Sequence, residues 1–137
     1  MADIKANILQ NFGFESAQYK QALNIADIVS SRAGSSNVIF IGHSLGGSQA
    51  SAAAISQGRR AFTFNAAGLH RNIVGGSINS QVTNKLIRAY YSASDPLNKW
   101  QDRLPNLLNK AVGRRILVRG AEGHSMQNMY DALRGGN

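Results

Sequence analysis

Residues Val38-Ile39-Phe40-Ile41 are apolar and mostly β-branched, and they run straight into Gly42-His43-Ser44-Leu45-Gly46-Gly47. No other stretch of the chain constrains its fold as strongly. A short apolar run of this kind predicts a strand buried on both faces, as strands are in a parallel sheet covered by helices. The glycines that follow mark a tight turn. Ser44 to Ser56 is rich in alanine and serine and predicts a helix of small side chains, closed by Gly58. Strand, turn and helix in immediate succession make the first unit of an alternating α/β chain.

The alternation continues on both sides of this unit. Ala17 to Val29 places Tyr19, Ala22, Leu23, Ala26 and Val29 at helical spacing, with Ser16 as the expected N-cap and Arg32-Ala33-Gly34-Ser35-Ser36 as the stop. Ala61-Phe62-Thr63-Phe64 predicts a second strand, Leu86-Ile87-Arg88-Ala89-Tyr90-Tyr91 a third and Arg115-Ile116-Leu117-Val118 a fourth. A loop carrying Gly75-Gly76 lies between the second and third strands. Leu97 to Val112 is interrupted by Pro105 and reads as broken helix and loop, and Met126 to Leu133 reads as a closing helix. The fold class expected is α/β: about four parallel strands with right-handed crossovers, flanked by helices as a three-layer sandwich. At 137 residues the chain is expected to form a single domain over its whole length.

Apolar residues make up 43% of the sequence and charged residues 16%, a balance that argues against disorder. With 15 Lys+Arg against 7 Asp+Glu, the formal charge is +8, which draws a chain toward polyanions. The basic residues are scattered, with adjacent pairs only at Arg59-Arg60 and Arg114-Arg115, and no basic run is interleaved with aromatics for base stacking. Two readings of this charge stand: a solvated basic surface, or a partner-binding role for which an anionic membrane surface is the candidate; nucleic acid is not expected. The chain has no cysteine, so neither a disulfide framework nor a thiolate metal site is available. The start Met1-Ala2-Asp3-Ile4-Lys5 lacks an apolar h-region, and no stretch approaches the ~18 apolar residues of a membrane span. The expectation is a protein without signal peptide or span, cytoplasmic or secreted by a signal-independent route.

Gly42-x-Ser44-x-Gly46 is a short pattern that a chemically inert glycine-rich turn or a phosphate-binding turn also produces; no Lys follows it as in a phosphate-binding loop. Its position between a buried strand and a helix is the setting of a nucleophile elbow. There the backbone is strained so that the serine hydroxyl stands clear of the sheet. Gly42 and Gly46 are expected because a Cβ at either position would meet the neighbouring strand or helix. The N–H of Leu45, at the positive end of the helix, is the expected oxyanion donor.

A serine hydroxyl needs a base. His43 lies inside the elbow and is expected to point away from Ser44. His70 follows the second strand, and His124 follows the fourth. In the order nucleophile, acid, base, His124 alone leaves room for an acid between. Asp95 fits that role: the strand ending Tyr90-Tyr91 runs into Ser92-Ala93-Ser94-Asp95-Pro96, and Pro96 restrains the Asp95 backbone. Asp102 is the rival acid, with no strand behind it, and a plain turn residue is the alternative role for Asp95.

On these residues the sequence resembles lipases of the class 3 type within the α/β-hydrolase superfamily, and bacterial phospholipase-like effectors related to them. The resemblance rests on Val38 to Gly47, on Phe62-Thr63-Phe64-Asn65-Ala66-Ala67-Gly68, on Asp95-Pro96-Leu97 and on Gly123-His124-Ser125-Met126. Asp3-Ile4-Lys5-Ala6-Asn7-Ile8 also resembles the stretch that follows the family's oxyanion loop. The resemblance implies hydrolysis of lipid or phospholipid esters without a cofactor or metal, with Ser44 as nucleophile, Asp95 as acid and His124 as base. It also implies strands before the elbow and an Arg-Gly-Thr-like loop whose backbone gives a second oxyanion donor. This sequence contains no such loop, and one donor is worth about 10²–10³ in turnover. Without the preceding strands the nucleophile strand Val38–Ile41, central in the family, is expected to lie at an edge of the sheet, where it invites pairing with another chain. Residues 1–137 are thus expected to form the C-terminal half of the usual α/β-hydrolase sheet and to work as a serine esterase; the alternative is an inactive or split fragment that acts as a binding or assembly module. In the second case a homo-oligomer or a separate N-terminal partner chain would complete it.

Overall fold

The computed structural model describes residues 15–34, 37–69, 71–75, 78–103 and 111–135. Its elements alternate as expected: α1 (Glu15–Ala33), β1 (Ile39–His43), α2 (Leu45–Gln57), β2 (Arg60–Phe64), a 3₁₀ turn (Arg71–Val74), α3 (Ser80–Leu86), β3 (Ile87–Tyr91), α4 (Pro96–Arg103), β4 (Arg114–Leu117) and α5 (Met126–Gly135). The strands form one parallel sheet in the order β1-β2-β3-β4. Sequential order with every pair parallel brings all strand C-termini, and the loops that follow them, to one end of the sheet.

The side-chain alternation of the strands sorts the helices onto the two faces. On one face Phe40, Ala61 and Ile87 pack with Ala54 and Ile55 of α2. Alanine is what allows this: Ala52, Ala53 and Ala54 are all buried, so the helix lies close on the strands. Helix α1 packs outside α2, where Tyr19 forms a core with Ala52 and Leu69 and its hydroxyl hydrogen-bonds Ser48. On the opposite face Phe64 and Tyr90 stack with ring centroids 5.4 Å apart, and Met129 of α5 packs over them with Val118 and Ala121. The architecture is thus a four-stranded parallel sheet flanked by helices, an α/β fold.

Three local expectations are corrected. The apolar run at Val38–Ile41 predicts burial on both faces, yet Ile39 is 44% and Ile41 is 69% exposed. β1 lies at the edge of the sheet, as expected, and among the described residues no element covers the face that carries Ile39 and Ile41. An open groove of about 310 Å³ runs beside it, lined by Ala22, Ile25, Phe40, Ile41 and Ala53. Ser16 is not an N-cap, because α1 already includes Glu15, and the helix continues through Arg32 to Ala33. The stretch between β2 and β3 is more than a glycine loop. It contains α3, whose N-terminus is capped by the Asn79 side chain accepting from the Gln81 and Val82 amides at 2.9 and 3.3 Å. Helix α4 starts at Pro96, and the remainder of the broken segment, 104–110 with Pro105, lies outside the described residues, as do Gly76 and the stretch 3–8.

Candidate active site

Ser44 sits between β1 and α2 with φ 56° and ψ −122°. That conformation is costly for a residue with a side chain and persists only when its surroundings hold it. They do so through the backbone. The Ser44 N–H donates to the Phe64 carbonyl at 3.1 Å, and its own carbonyl accepts from Ala67, Gly47 and Ser48 at 3.0, 3.1 and 3.3 Å. The sheet ladder thus extends one residue beyond β1 and then breaks into the helix.

The glycine requirement differs from the expected one at one position. A Cβ on Gly42 would overlap the Gly46 carbonyl and the Gly47 amide, so Gly42 is needed. A Cβ on Gly46 meets nothing within 4 Å, so the expected clash there is absent. The crowded neighbour is Gly47, where a Cβ would stand 2.6 Å from the Ala66 Cβ. The loop after β2 folds back over the second helical residue after Leu45, which leaves Gly46 facing the open groove instead.

Asp95 is fully buried and follows β3. It is the N-cap of α4, with Pro96 at the first helical position. Its Oδ1 accepts the Leu97 N–H at 3.0 Å, and its carbonyl accepts from Lys99 at 3.1 Å. The same Oδ1 accepts from His124 Nδ1 at 2.9 Å. Capping a helix and holding a histidine are therefore one arrangement: the cap fixes the carboxylate, and the carboxylate fixes the ring. Its Oδ2 is buried with no hydrogen-bond partner among the described residues.

His124 lies on the loop between β4 and α5, with 15% of its side chain exposed. Ser125 caps α5 by accepting the Asn128 N–H at 3.2 Å, which ties down the residue next to it. With Nδ1–H donating to Asp95, Nε2 is left as an acceptor, and the Ser44 hydroxyl donates to it at 2.8 Å. Ser44, Asp95 and His124, chosen from three separate segments, are thus joined in one hydrogen-bonded chain. Leu45 is the first residue of α2, so its N–H has no acceptor within the helix and lies beside Ser44 at the positive end of the helix dipole.

His43 does not stand apart from the site. Its Nε2–H donates to the His124 carbonyl at 2.6 Å, and the two rings lie 4.9 Å apart. The side chains of His70 and Asp102 lie outside the described residues. Residues that sequence reasoning assigned no role also converge here: Ser94 accepts the Gly123 N–H at 2.8 Å, Ser92 donates to the Ala121 carbonyl at 2.8 Å, and Asn65 bridges the loop after β3 to the His124 loop. The available signal was an Asn directly after a strand, a residue type that tolerates left-handed backbone. Among the described residues no cluster of His, Asp or Glu could hold a metal ion, and no helix is long and apolar enough to cross a membrane.

The chain is similar to an extracellular phospholipase A1 of Serratia liquefaciens, with 35% identity over 122 residues. That match takes in 85% of this chain and 38% of the relative, so the chain spans less than half of the relative's length. The family model of the Tle-like phospholipase domain, a phospholipase-like family, matches residues 1–135. With nearly the whole sequence matched, the chain belongs to the Tle-like phospholipase family.

Proposed function

We propose that the chain is a serine hydrolase that cleaves carboxylic esters of phospholipids through an acyl-enzyme on Ser44. The observation that carries this reading is the continuous chain from Ser44 Oγ to His124 Nε2 at 2.8 Å and from His124 Nδ1 to Asp95 Oδ1 at 2.9 Å. Family membership and the similarity to a protein named extracellular phospholipase A1 support the substrate class. The formal charge of +8 suits an anionic lipid surface.

In this mechanism Ser44 Oγ attacks the ester carbonyl carbon while its proton passes to His124 Nε2. The Leu45 N–H stabilises the oxyanion that forms. The C–O bond to the alcohol then breaks, and His124 returns the proton to the departing oxygen, leaving a lysophospholipid and an acylated Ser44. Water repeats the sequence, with His124 as base, and releases the fatty acid. Asp95 stays ionised throughout; it orients the ring and offsets the imidazolium charge. The test is hydrolysis of phospholipid vesicles and of a short-chain p-nitrophenyl ester by wild type and Ser44→Ala. The reading expects a loss of about 10⁴-fold or more in kcat for both substrates, and wild-type turnover by Ser44→Ala contradicts it.

A second reading rests on the edge of β1. With Ile41 69% exposed and the outer side of β1 unpaired among the described residues, a strand from another chain has a place to pair. Under this reading the chain works as part of an assembly, either a homo-oligomer or a complex with a separate partner. Light scattering on the purified chain separates the two: a monomer that turns over esters contradicts the assembly reading.

A further inference from the structure

Asn65 is the first residue beyond β2, is fully buried and has φ +44°. Its N–H donates to the Tyr90 carbonyl at 2.9 Å, which carries the β2–β3 ladder one step past the strand and fixes the residue at the catalytic end of the sheet. Both ends of its carboxamide are used. Oδ1 accepts the Ser92 N–H at 2.8 Å and the Asn98 side-chain N–H at 3.4 Å. Nδ2 donates to the carbonyls of Gly123 and His124, each at 3.4 Å. Because the Ser92 amide requires an oxygen opposite it, the orientation of the carboxamide is set.

Ser92 opens the loop that bears Asp95, and Gly123 and His124 belong to the loop that bears the imidazole. We propose that Asn65 is a positioning residue for ester hydrolysis, clamping the acid loop and the base loop to one point of the sheet. The inference rests on the Ser44–His124–Asp95 reading and extends it. Asp95 orients the His124 ring through Nδ1, whereas the backbone of the loop is held at the His124 carbonyl, where His43 Nε2–H donates at 2.6 Å from the end of β1. Asn65 also acts on that backbone, at the same carbonyl. The amide is suited to this because one rigid plane offers an acceptor to one loop and donors to the other. Aspartate lacks the donors, and an aliphatic side chain lacks both. The ties from Ser92 to Ala121 and from Gly123 to Ser94 run between the same loops but do not reach His124. A displacement of about 1 Å at the base can cost on the order of 10² in rate.

The experiment compares wild type, Asn65→Gly and Ser44→Ala, and places Asn65→Gly also in a His124→Ala background, with a soluble p-nitrophenyl ester as substrate. Glycine accepts the positive φ at this site, so the change removes the carboxamide without adding backbone strain. Asn65→Gly is expected to melt cooperatively, to lose about 10- to 100-fold in kcat and to keep KM within about twofold. In the His124→Ala background the same change is expected to cost less than about twofold, because the residue acts through His124. Wild-type kcat in folded Asn65→Gly, or equal losses in both backgrounds, overturns the inference. If Asn65→Gly does not fold, Asn65→Asp replaces it, with the same size and no donor and the same expected loss; failure of both to fold makes Asn65 a folding residue and overturns the positioning role. Ser44→Ala keeps the two levels apart: if it is active the underlying triad reading fails, whereas inactive Ser44→Ala beside fully active Asn65→Gly overturns this inference alone.

Discussion

His43 and His124 are held against each other twice: the His43 Nε2–H donates to the His124 carbonyl at 2.6 Å, and the two rings lie 4.9 Å apart at 45°. The residue before the serine thus grips the backbone of the residue that contacts the serine hydroxyl. Replacing His43 by Phe keeps a ring in place and removes the donor. It is expected to lower kcat by about 5- to 13-fold, the worth of one hydrogen bond of roughly 1–1.5 kcal/mol, with KM little changed. Steady-state kinetics on a soluble ester reads this, and an unchanged kcat would show that the contact does not position His124.

Asp95→Asn preserves the shape of the side chain, and its Oδ1 can still accept from Leu97 and His124. What it loses is the charge that offsets the imidazolium, so kcat is expected to fall by about 10²–10⁴. Stability is expected to change little. The side chain is fully buried; the amide removes a carboxylate from that site, while its Nδ2 takes the place of Oδ2, which has no partner among the described residues, so the two effects offset. Thermal melting and ester turnover, measured on the same preparation, check both halves; a large loss of melting temperature would contradict the second.

The three glycines of the elbow should respond differently to alanine. Gly47→Ala drives a methyl group into Ala66, and overpacking of this kind costs about 1–3 kcal/mol. Gly42→Ala meets backbone at Gly46 and Gly47, which cannot yield as a side chain can, and is expected to cost at least as much. Gly46→Ala adds a methyl group in open space within a helix and is expected to stabilise by about 0.5–1 kcal/mol. Urea titration of the three variants gives the order directly.

At the edge of the sheet, Ile41→Lys puts a charge on a strand that otherwise offers an apolar side chain at 69% exposure. Its effect on unfolding free energy is expected to stay within about 0.5 kcal/mol, as for other exposed positions. Any self-association through β1 should disappear. Sedimentation of wild type and variant tests this; an oligomer that survives the substitution is not built on that edge.

How much of this was legible in the sequence follows from how local each feature is. The elbow was readable because a strand, a tight turn and a helix are determined by neighbours along the chain. Asp95 and His124 were selected as candidates by chain order and by the strands that precede them. The edge position of β1 was legible from the strands that the resemblance places before the elbow, but its burial was misjudged because an apolar run does not show which face will lack a covering element. The choice between Gly46 and Gly47 depends on where Ala66 returns over the elbow, a contact from the next strand. Asn65 and His43 meet the His124 loop 58 to 81 positions away, so their partners could not be read locally; an Asn directly after a strand was the one local sign of the first. Helix α3 lacks a clear apolar stripe in Ser-Gln-Val-Thr-Asn-Lys-Leu, and the Asn79 cap was its strongest local sign.

The central claim is that Ser44 is the nucleophile and that His124 activates it. An organophosphorus fluorophosphonate probe reports this chemically, since it forms a covalent bond only with an activated serine. After incubation with wild type, peptide mass spectrometry should find the adduct on Ser44, and His124→Ala should abolish it in a protein that still melts cooperatively. An enzyme that hydrolyses esters while Ser44 stays unlabelled, or that carries the adduct on another serine, would contradict the account.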